Sequence, residues 1–587
     1  MIIKKIVSRT EAANTSKLEA NAGSELSDSP LLNRIYQSRG VQSKAELQYD
    51  LSQLADYKLL SNIDAAVAAL VEMINTHAKV IIVGDFDADG ATSTALLMEA
   101  LPAMGLKRLS YVVPNRFEYG YGLSEKIVRE VAKDKPDWII TVDNGISNHA
   151  GVRVANELGI KVLITDHHLP AETLPEAAVI VNPNLRGDQF PSKALAGVGV
   201  AFYILIALRA ELRAKHYFNR MNIAEPNLAE WLDLVALGTV ADVVPLDVNN
   251  RILVAQGLKR IRAGKCRPAI KLLLEVAKRT LSKVEASDLG FAVGPRLNAA
   301  GRLEDMSVGI ECLLAKSEQQ AQSMVFELDS LNQYRREIES HMVEDALKGL
   351  ADQIGDLEQH RPNSVCLFRD DWHQGVVGLV ASRIKEKLNR PVIAFAPEDE
   401  LTVKGSGRSV PGVHMRDVLA NVASKYPELL QKFGGHAMAA GLSIKKQQLS
   451  EFQKKFDEEV NHWLGKDIID DSLITDGELD KSECSLQTAE LLKQSGPWGQ
   501  GFPEPIFHGE FEVVQQRILA DKHLKLVVQN RHQDLMVDAI YFFAPEQCLS
   551  ESLNQVELVY KLNINEFRGS TSLQLIIEQL NINNFSG

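Results

Sequence analysis

At 587 residues the chain is too long for one hydrophobic core, and its 45% apolar and 24% charged residues are those of an ordinary globular protein of three or four domains. The net charge of −13 argues mildly against a nucleic-acid partner, because non-specific DNA binders usually carry a basic excess. The argument weakens if the acidic residues form a metal site that cations neutralise while local basic clusters track a strand. Cys266, Cys312, Cys366, Cys484 and Cys548 are scattered without a C-x-x-C pair, which speaks against a disulfide framework or a zinc site and fits a reducing cytoplasm. The start lacks a secretory signal's apolar stretch, and the longest apolar run, 196–208, is too short to span a bilayer, so no membrane association is expected.

In chain order, residues 1–50 are polar and rich in Ser, Asn and Ala, and read as a loosely ordered arm with a helix. From 65 to 240 apolar strands alternate with helical patterns, including 123–134 and 151–159. That alternation predicts right-handed crossovers and a mainly parallel sheet. The strand IIV at 81–83 runs into Asp85, Asp87 and Asp89 at alternate positions, where α/β folds place their chemistry. Three carboxylates so close repel one another unless a divalent cation neutralises them.

The same pattern recurs. WIITVDNGI (138–146) puts Asp143 after a strand, and KVLITDHH (161–168) does the same for Asp166, His167 and His168. LVALGTVADVVPL (234–246) delivers Asp242 after a stretch that suits a strand or a buried helix equally. Carboxylates with imidazole point to two hard or borderline cations. Mn²⁺ or Mg²⁺ is expected, with Mn²⁺ favoured over Ca²⁺ because imidazole sits poorly on calcium.

From 306 to 360 the chain has no proline and few glycines, which predicts a long helix bridging two domains. A second α/β unit follows at 364–413, and the linker-like DSLITDGELD at 471–480. Beyond it, segments such as FHGEFEVVQQRILA, HLKLVVQN and VELVYKLNINEF alternate with period two and read as a small barrel.

GDFDADG, TVDNGI, DHH and GTVADVVPL together resemble the four motifs of the DHH phosphoesterase superfamily. GPRLNAAGRL (294–303), GSGRS (405–409) and GGHAMAAG (434–441) narrow the resemblance to its RecJ family, which implies 5′→3′ degradation of single-stranded DNA to 5′-mononucleotides in repair and recombination. The fold implied is α/β: a parallel-sheet DHH domain at 51–260, a helical connector at 261–360, a second α/β DHH-associated domain at 361–465, and an OB-like β-barrel at 466–587. An arm at 1–50 precedes them.

By similarity, Asp143 bridges two ions, with Asp87 on one and Asp89, His167 and Asp242 on the other. Many members carry a histidine where this chain has Val83, and Asp85 is the candidate to fill that place. Asp166 is either a ligand or a carboxylate orienting an imidazole. His168 resembles the residue that contacts the scissile phosphate. Arg116, Arg302, Ser406, Arg408, Gly435 and His436 resemble phosphate contacts, with the glycines of GSGRS freeing backbone N–H groups for an anion and GGHAMAAG suggesting a helix start. Tyr119 and Tyr121 suit base stacking or packing equally, and Lys522, Lys525, Lys561, Phe567 and Arg568 are candidate strand contacts on the barrel. The family also implies a single-stranded-DNA-binding protein as partner. Two other functions fit the residues less well: hydrolysis of small phosphate compounds or short oligonucleotides, whose enzymes are generally shorter and lack a barrel, and a non-catalytic DNA-binding scaffold.

Overall fold

A computed structural model describes residues 4–9, 25–115, 119, 122–354, 362–464, 472–530 and 535–582. The expected loose arm is docked where it is described. Strand β1 (Lys5–Ser8) pairs in parallel with Ser472–Thr475. The helix Pro30–Ser38 is capped by Ser29, whose Oγ accepts the Leu32 N–H, and carries a proline in its first turn. Leu31, Leu32, Ile35 and Tyr36 recur at helical spacing and are buried, so this polar-looking segment has one apolar face to lose to water if it came free.

Five parallel strands form the first sheet: β2 (Val80–Val83), β3 (Leu109–Val112), β4 (Trp138–Val142), β5 (Lys161–Thr165) and β6 (Val179–Val181), in the order β3-β2-β4-β5-β6. β2 is apolar, β4 is apolar but for Thr141, and both are buried throughout, as strands covered on both faces must be. The chain leaves β2 toward β3 and leaves β4 toward β5, so the crevice beyond their carboxyl ends is the sheet's switch point. Residues 234–241, open between strand and helix in the sequence, belong to the helix Leu232–Ala241.

The connector does not form one helix from 306. It breaks between Ser307–Leu314 and the 37-residue helix Glu318–Ile354. The cause is local: Ser317 Oγ accepts the Gln320 N–H at 3.2 Å while Gln320 Oε1 accepts the Lys316 N–H at 2.9 Å, the reciprocal bonds of a helix start.

The second α/β unit holds β7 (Val365–Phe368), β8 (Val392–Pro397), β9 (Thr402–Arg408), β10 (Lys432–Gly435) and β11 (Ala439–Lys445), in the order β10-β11-β9-β8-β7 with only β7 and β8 parallel. Two expectations change here. GSGRS lies mostly in β9, a central strand, so its glycine backbone serves the ladders to β8 and β11 and leaves anion contact to the side chains of Ser406 and Arg408. GGHAMAAG is the β10–β11 hairpin rather than a helix start, and the His436 N–H closes its turn on the Ala439 carbonyl at 2.7 Å.

The described part of that stretch, 472–480, is not a free linker. Within it β12 (Ser472–Thr475) pairs with β1, and buried Asp476 accepts two bonds from Arg39, at 2.7 and 2.9 Å. Beyond it β13 (Phe507–Leu519), β14 (His523–Asn530), β15 (Met536–Tyr541), β16 (Gln555–Phe567) and β17 (Ser570–Ile582) close a barrel in the order β13-β14-β15-β17-β16. The β15–β17 pair is parallel and the rest antiparallel, an OB-like closure. Phe507, Leu526 and Leu575 of the barrel lie in the same contiguous core as Ile82 and Leu234 of the first domain.

Candidate metal centre

Each acidic group reaches the crevice because a particular element ends there. Asp85 follows β2 and is buried. Asp87 caps the helix Ala88–Ala103, its Oδ1 accepting the Gly90 N–H at 3.0 Å. Asp89, in the first turn of that helix, is held at the start of the helix Gly197–Ala214, where the N–H groups of Gly197 and Val198 donate to its two oxygens at 2.6 and 2.9 Å. Asp143 follows β4 with φ of 60°, a left-handed conformation that a non-glycine residue adopts at a cost of about 1–3 kcal/mol. Asp242 ends the helix Leu232–Ala241.

Three sets of donor atoms result, each mutually within 4.8 Å: Asp85, Asp87 and Asp143; Asp89, His167 and Asp242; and Asp143, His167 and His168. Asp143 joins the first and third sets and His167 the second and third. His167 Nε2 stands 3.0 Å from Asp143 Oδ1 and 3.4 Å from Asp242 Oδ2. Among the described residues, both Asp143 oxygens, His167 Nε2 and Asp242 Oδ2 are buried without an aligned hydrogen bond, a state that native interiors avoid unless something else occupies the space between them.

The electrostatics agree. Burial, and then the neighbouring carboxylates, push Asp89 up to about 7 and Asp143 and Asp242 well above the ordinary carboxylate range. Burial, followed by the charge of His168, lowers His167 to about 4 and keeps its imidazole neutral, as a ligand must be. Asp166 is saturated by other bonds. Its Oδ1 takes the backbone N–H groups of His167 and His168 and the His168 Nδ1 at 2.7 Å, and its Oδ2 takes the Ile146 N–H. It therefore orients His168. Burial would lower His168, but the Asp166 bond and the surrounding carboxylates outweigh it and raise the imidazole to about 9.

The connector and second unit complete the walls. Asn298 Oδ1 accepts the Ala88 N–H at 2.8 Å and so fixes the acidic loop. Arg302 Nη1 donates to the Gly375 carbonyl at 3.3 Å, tying the connector to the second unit. Arg408 donates to Ser406 Oγ at 3.0 Å, and the His436 ring lies over that of His168. Gly435, just before it, has φ of 143° in the hairpin. Tyr119 packs against the apolar layer of the first sheet, while Arg116 and Tyr121 lie outside the described residues.

Sequence reasoning missed Asn298, although its motif was in view, and also Gly197 and Gly301. A Cβ on Gly197 would stand 2.6 Å from that of Asp143, and one on Gly301 would meet the Phe86 carbonyl at 1.8 Å, so both must be glycine for the walls to close. Local sequence holds no sign of either approach.

On the barrel, two of the candidate strand contacts already have counter-ions: Lys525 is paired with Asp538 at 2.9 Å and Lys561 with Glu504 and Glu578 at 3.0 and 3.2 Å. Lys522 lies over the exposed ring of Phe543, and Arg568 over that of Phe567. Phe542 and Phe543, not singled out in the sequence, are both exposed.

Comparison with known proteins gives consistent matches. Residues 79–239 match the DHH family, N-terminal domain, 362–462 the DHHA1 domain and 475–579 the RecJ OB domain. The chain is 52% identical over 573 residues to the single-stranded-DNA-specific exonuclease RecJ of Salmonella typhimurium, covering 97% of this chain and 98% of that one. Identity to the Escherichia coli protein of the same name is 52% over 552 residues, 94% and 96% of the two chains. Among solved structures, RecJ of Thermus thermophilus in complex with Mn²⁺ superposes with a TM-score of 0.78 at 29% identity, over 98% of this chain and 79% of that chain. Its complex with Mg²⁺ gives 0.73 at 26%, over 98% and 78%.

Proposed function

The chain belongs to the RecJ family of single-stranded-DNA-specific exonucleases, and on that premise we propose that it is a two-metal 5′→3′ exonuclease releasing 5′-mononucleotides from single-stranded DNA. The observation that carries this reading is the convergence of buried oxygens and one neutral imidazole on Asp143, several of them without hydrogen bonds. Carboxylates with a single imidazole suit Mn²⁺ or Mg²⁺.

In this reading Asp85, Asp87 and Asp143 would hold one cation and Asp89, His167 and Asp242 the other, with Asp143 shared between them. When bound, such a pair acidifies the attacking water and neutralises charge on the phosphodiester. His168, kept cationic by Asp166, faces the scissile phosphate as a fixed positive charge. Arg302, Ser406, Arg408, Gly435 and His436 bind and orient the terminal nucleotide, the guanidinium gripping phosphate through its planar fork. The barrel holds the rest of the strand, with Lys522, Phe543, Phe567 and Arg568 as exposed contacts. A single-stranded-DNA-binding protein is the partner that would present such a substrate. Among the described residues no helix is long and apolar enough to cross a membrane.

The test is incubation of purified protein with strands labelled at either end, single-stranded or duplex, with Mn²⁺ and with chelator. The expected result is metal-dependent release of mononucleotides from the 5′ end of single strands alone. Release from the 3′ end, or turnover in chelator, would overturn the reading.

A further inference from the structure

β2 and β4 lie side by side, yet they part where the acids begin. Their register ends at Val83 opposite Thr141. Beyond that pair each chain turns to its other neighbour. The Gly84 N–H donates to the Val112 carbonyl of β3 at 3.1 Å, and the Asp143 N–H donates to the Thr165 carbonyl of β5 at 3.0 Å. This parting opens the crevice at the switch point. It also leaves Asp85 and Asp87 on one side and Asp143 on the other, although the three offer oxygens mutually within 4.8 Å. Carboxylates so placed repel one another, so the two strand ends must be held to that spacing by other bonds.

One side chain crosses the gap. Asn144, wholly buried, donates from Nδ2 to the Val83 carbonyl at 3.1 Å and to the Val142 carbonyl at 2.9 Å. Its own carbonyl accepts the Thr141 hydroxyl at 2.7 Å, which closes the turn that holds Asp143 at φ of 60°. A Cβ on Gly145 would come within 2.6 Å of that hydroxyl, and one on Gly122 within 3.3 Å of Asn144 Oδ1, so two glycines let the turn be sealed. Among the described residues Asn144 Oδ1 is buried without a hydrogen bond. An unpaired buried acceptor costs stability, so the worth of the amide lies in what its Nδ2 joins.

We propose that Asn144 is a positioning residue, which clamps the carboxyl ends of β2 and β4 and so sets the spacing between Asp85 and Asp87 on one side and Asp143 on the other. Metal ligands work only when their supports hold them to within about 0.5 Å of the productive geometry, and here the support is a side-chain amide acting through two backbone carbonyls. Thr141 serves the same clamp by fixing the turn from which Asn144 reaches across. The assignment rests on the two-metal reading and adds what fixes the separation of the ligands.

The experiment uses full-length protein carrying Asn144→Ala, Thr141→Val or Thr141→Ser. Thr141→Val keeps a β-branched side chain in the strand and removes the hydroxyl that closes the Asn144 turn, whereas Thr141→Ser keeps that hydroxyl. Each is loaded with Mn²⁺ and followed by calorimetry, by hydrolysis of a single strand, and by electron paramagnetic resonance, which separates two coupled Mn²⁺ ions from isolated ones. Asn144→Ala and Thr141→Val are expected to weaken Mn²⁺ binding about ten-fold and to replace coupled signal by that of isolated ions. They should also lower kcat by about 100-fold while KM for DNA stays unchanged, because the phosphate contacts of the second unit are untouched. Thr141→Ser should match the wild type in all three measurements. Variants that melt lower yet keep the wild-type coupled signal and kcat overturn the proposal. Failure of both Asn144→Ala and Thr141→Val to fold overturns it too, since the clamp would then serve the fold. Wild-type protein that shows no coupled pair of ions would instead strike the two-metal reading itself.

Discussion

The imidazole rings of His168 and His436 lie nearly parallel, 6.1 Å apart between centroids and inclined by 15°, across the junction of the two α/β units. Their charges are unequal for a physical reason. His168 is raised to about 9 despite its burial, whereas burial and then the His168 charge lower His436, so near neutral pH a cation faces a neutral ring.

A phosphate between the two units would therefore meet His168 as a charge and His436 and Arg408 as orienting donors. His436→Ala and Arg408→Ala are each expected to lower hydrolysis by ~100-fold, the scale of a small misplacement of the reacting phosphate, while calorimetry still counts two Mn²⁺ ions. A lost ion in either variant would contradict the division of labour.

In the proposed metal site Asp143 is the bridge, and both its oxygens are buried without aligned hydrogen bonds. Asp143→Asn should abolish activity, by at least ~100-fold given what even outer partners of a metal contribute, and should remove the thermal stabilisation conferred by Mn²⁺. The metal-free variant should melt at or above the metal-free wild type near neutral pH, because it lacks one member of a mutually repelling carboxylate cluster. A metal-free variant that melts well below the wild type would show that Asp143 serves the fold instead.

Metal binding should depend on pH in a defined direction. Asp89 is raised to about 7, and Asp143 and Asp242 are well above the usual range, so the metal-free site keeps protons that cations must displace. His167, near 4, does not compete. Mn²⁺ affinity should climb as pH rises through 7, and calorimetry in buffers of different ionisation heat should detect released protons. For the metal-free protein the same groups act oppositely. Their folded values exceed their unfolded ones, so the stability they contribute is complete in acid and, for Asp89, is lost as pH rises from about 4 through about 7. Zero proton release at pH 7 would refute this account.

Asp166 takes no part in the sets of donor atoms and accepts four hydrogen bonds around His168. Asp166→Asn should lower kcat/KM by ~10–100-fold and move the alkaline limb of its pH profile downward, because His168 loses the carboxylate that keeps it protonated. Two Mn²⁺ ions should still bind. An unchanged alkaline limb would remove His168 from the chemistry.

Arg39 and Asp476, 437 positions apart, form an ion pair whose side chains are each 1% exposed, and Ile506 donates its N–H to the same carboxylate. Asp476→Ala leaves the Arg39 charge buried without its counter-ion and should cost about 3–5 kcal/mol. Deleting the chain from about 470 should give aggregating protein rather than a working core, since the barrel and first domain share one core. Lys522→Glu with Phe543→Ala is the safer probe of the barrel. It should weaken long-strand binding with the melting temperature unchanged, and a change in melting alone would mark a structural role.

The sequence by itself determined the strand ends and their acids, because a buried strand is a short apolar run and its ends are visible as the first charges beyond it. Asp85, Asp143 and Asp166 were legible for that reason, as was the barrel from its period of two. Asp242 was legible as an acid but not its helix, since a fully buried helix and a buried strand have the same apolar composition. What only the tertiary structure decided are approaches between distant segments. Local sequence cannot say that Asp143 adopts a left-handed conformation, that Gly197 leaves the room for it, or that Asn298 bonds the Ala88 N–H from 210 positions away. Nor can it say that Lys525 and Lys561 are neutralised by neighbouring carboxylates, or that the polar first fifty residues hide one apolar helical face and an arginine for Asp476. Charge, burial and clearance belong to pairs of residues, and chain folding alone chooses the pairs.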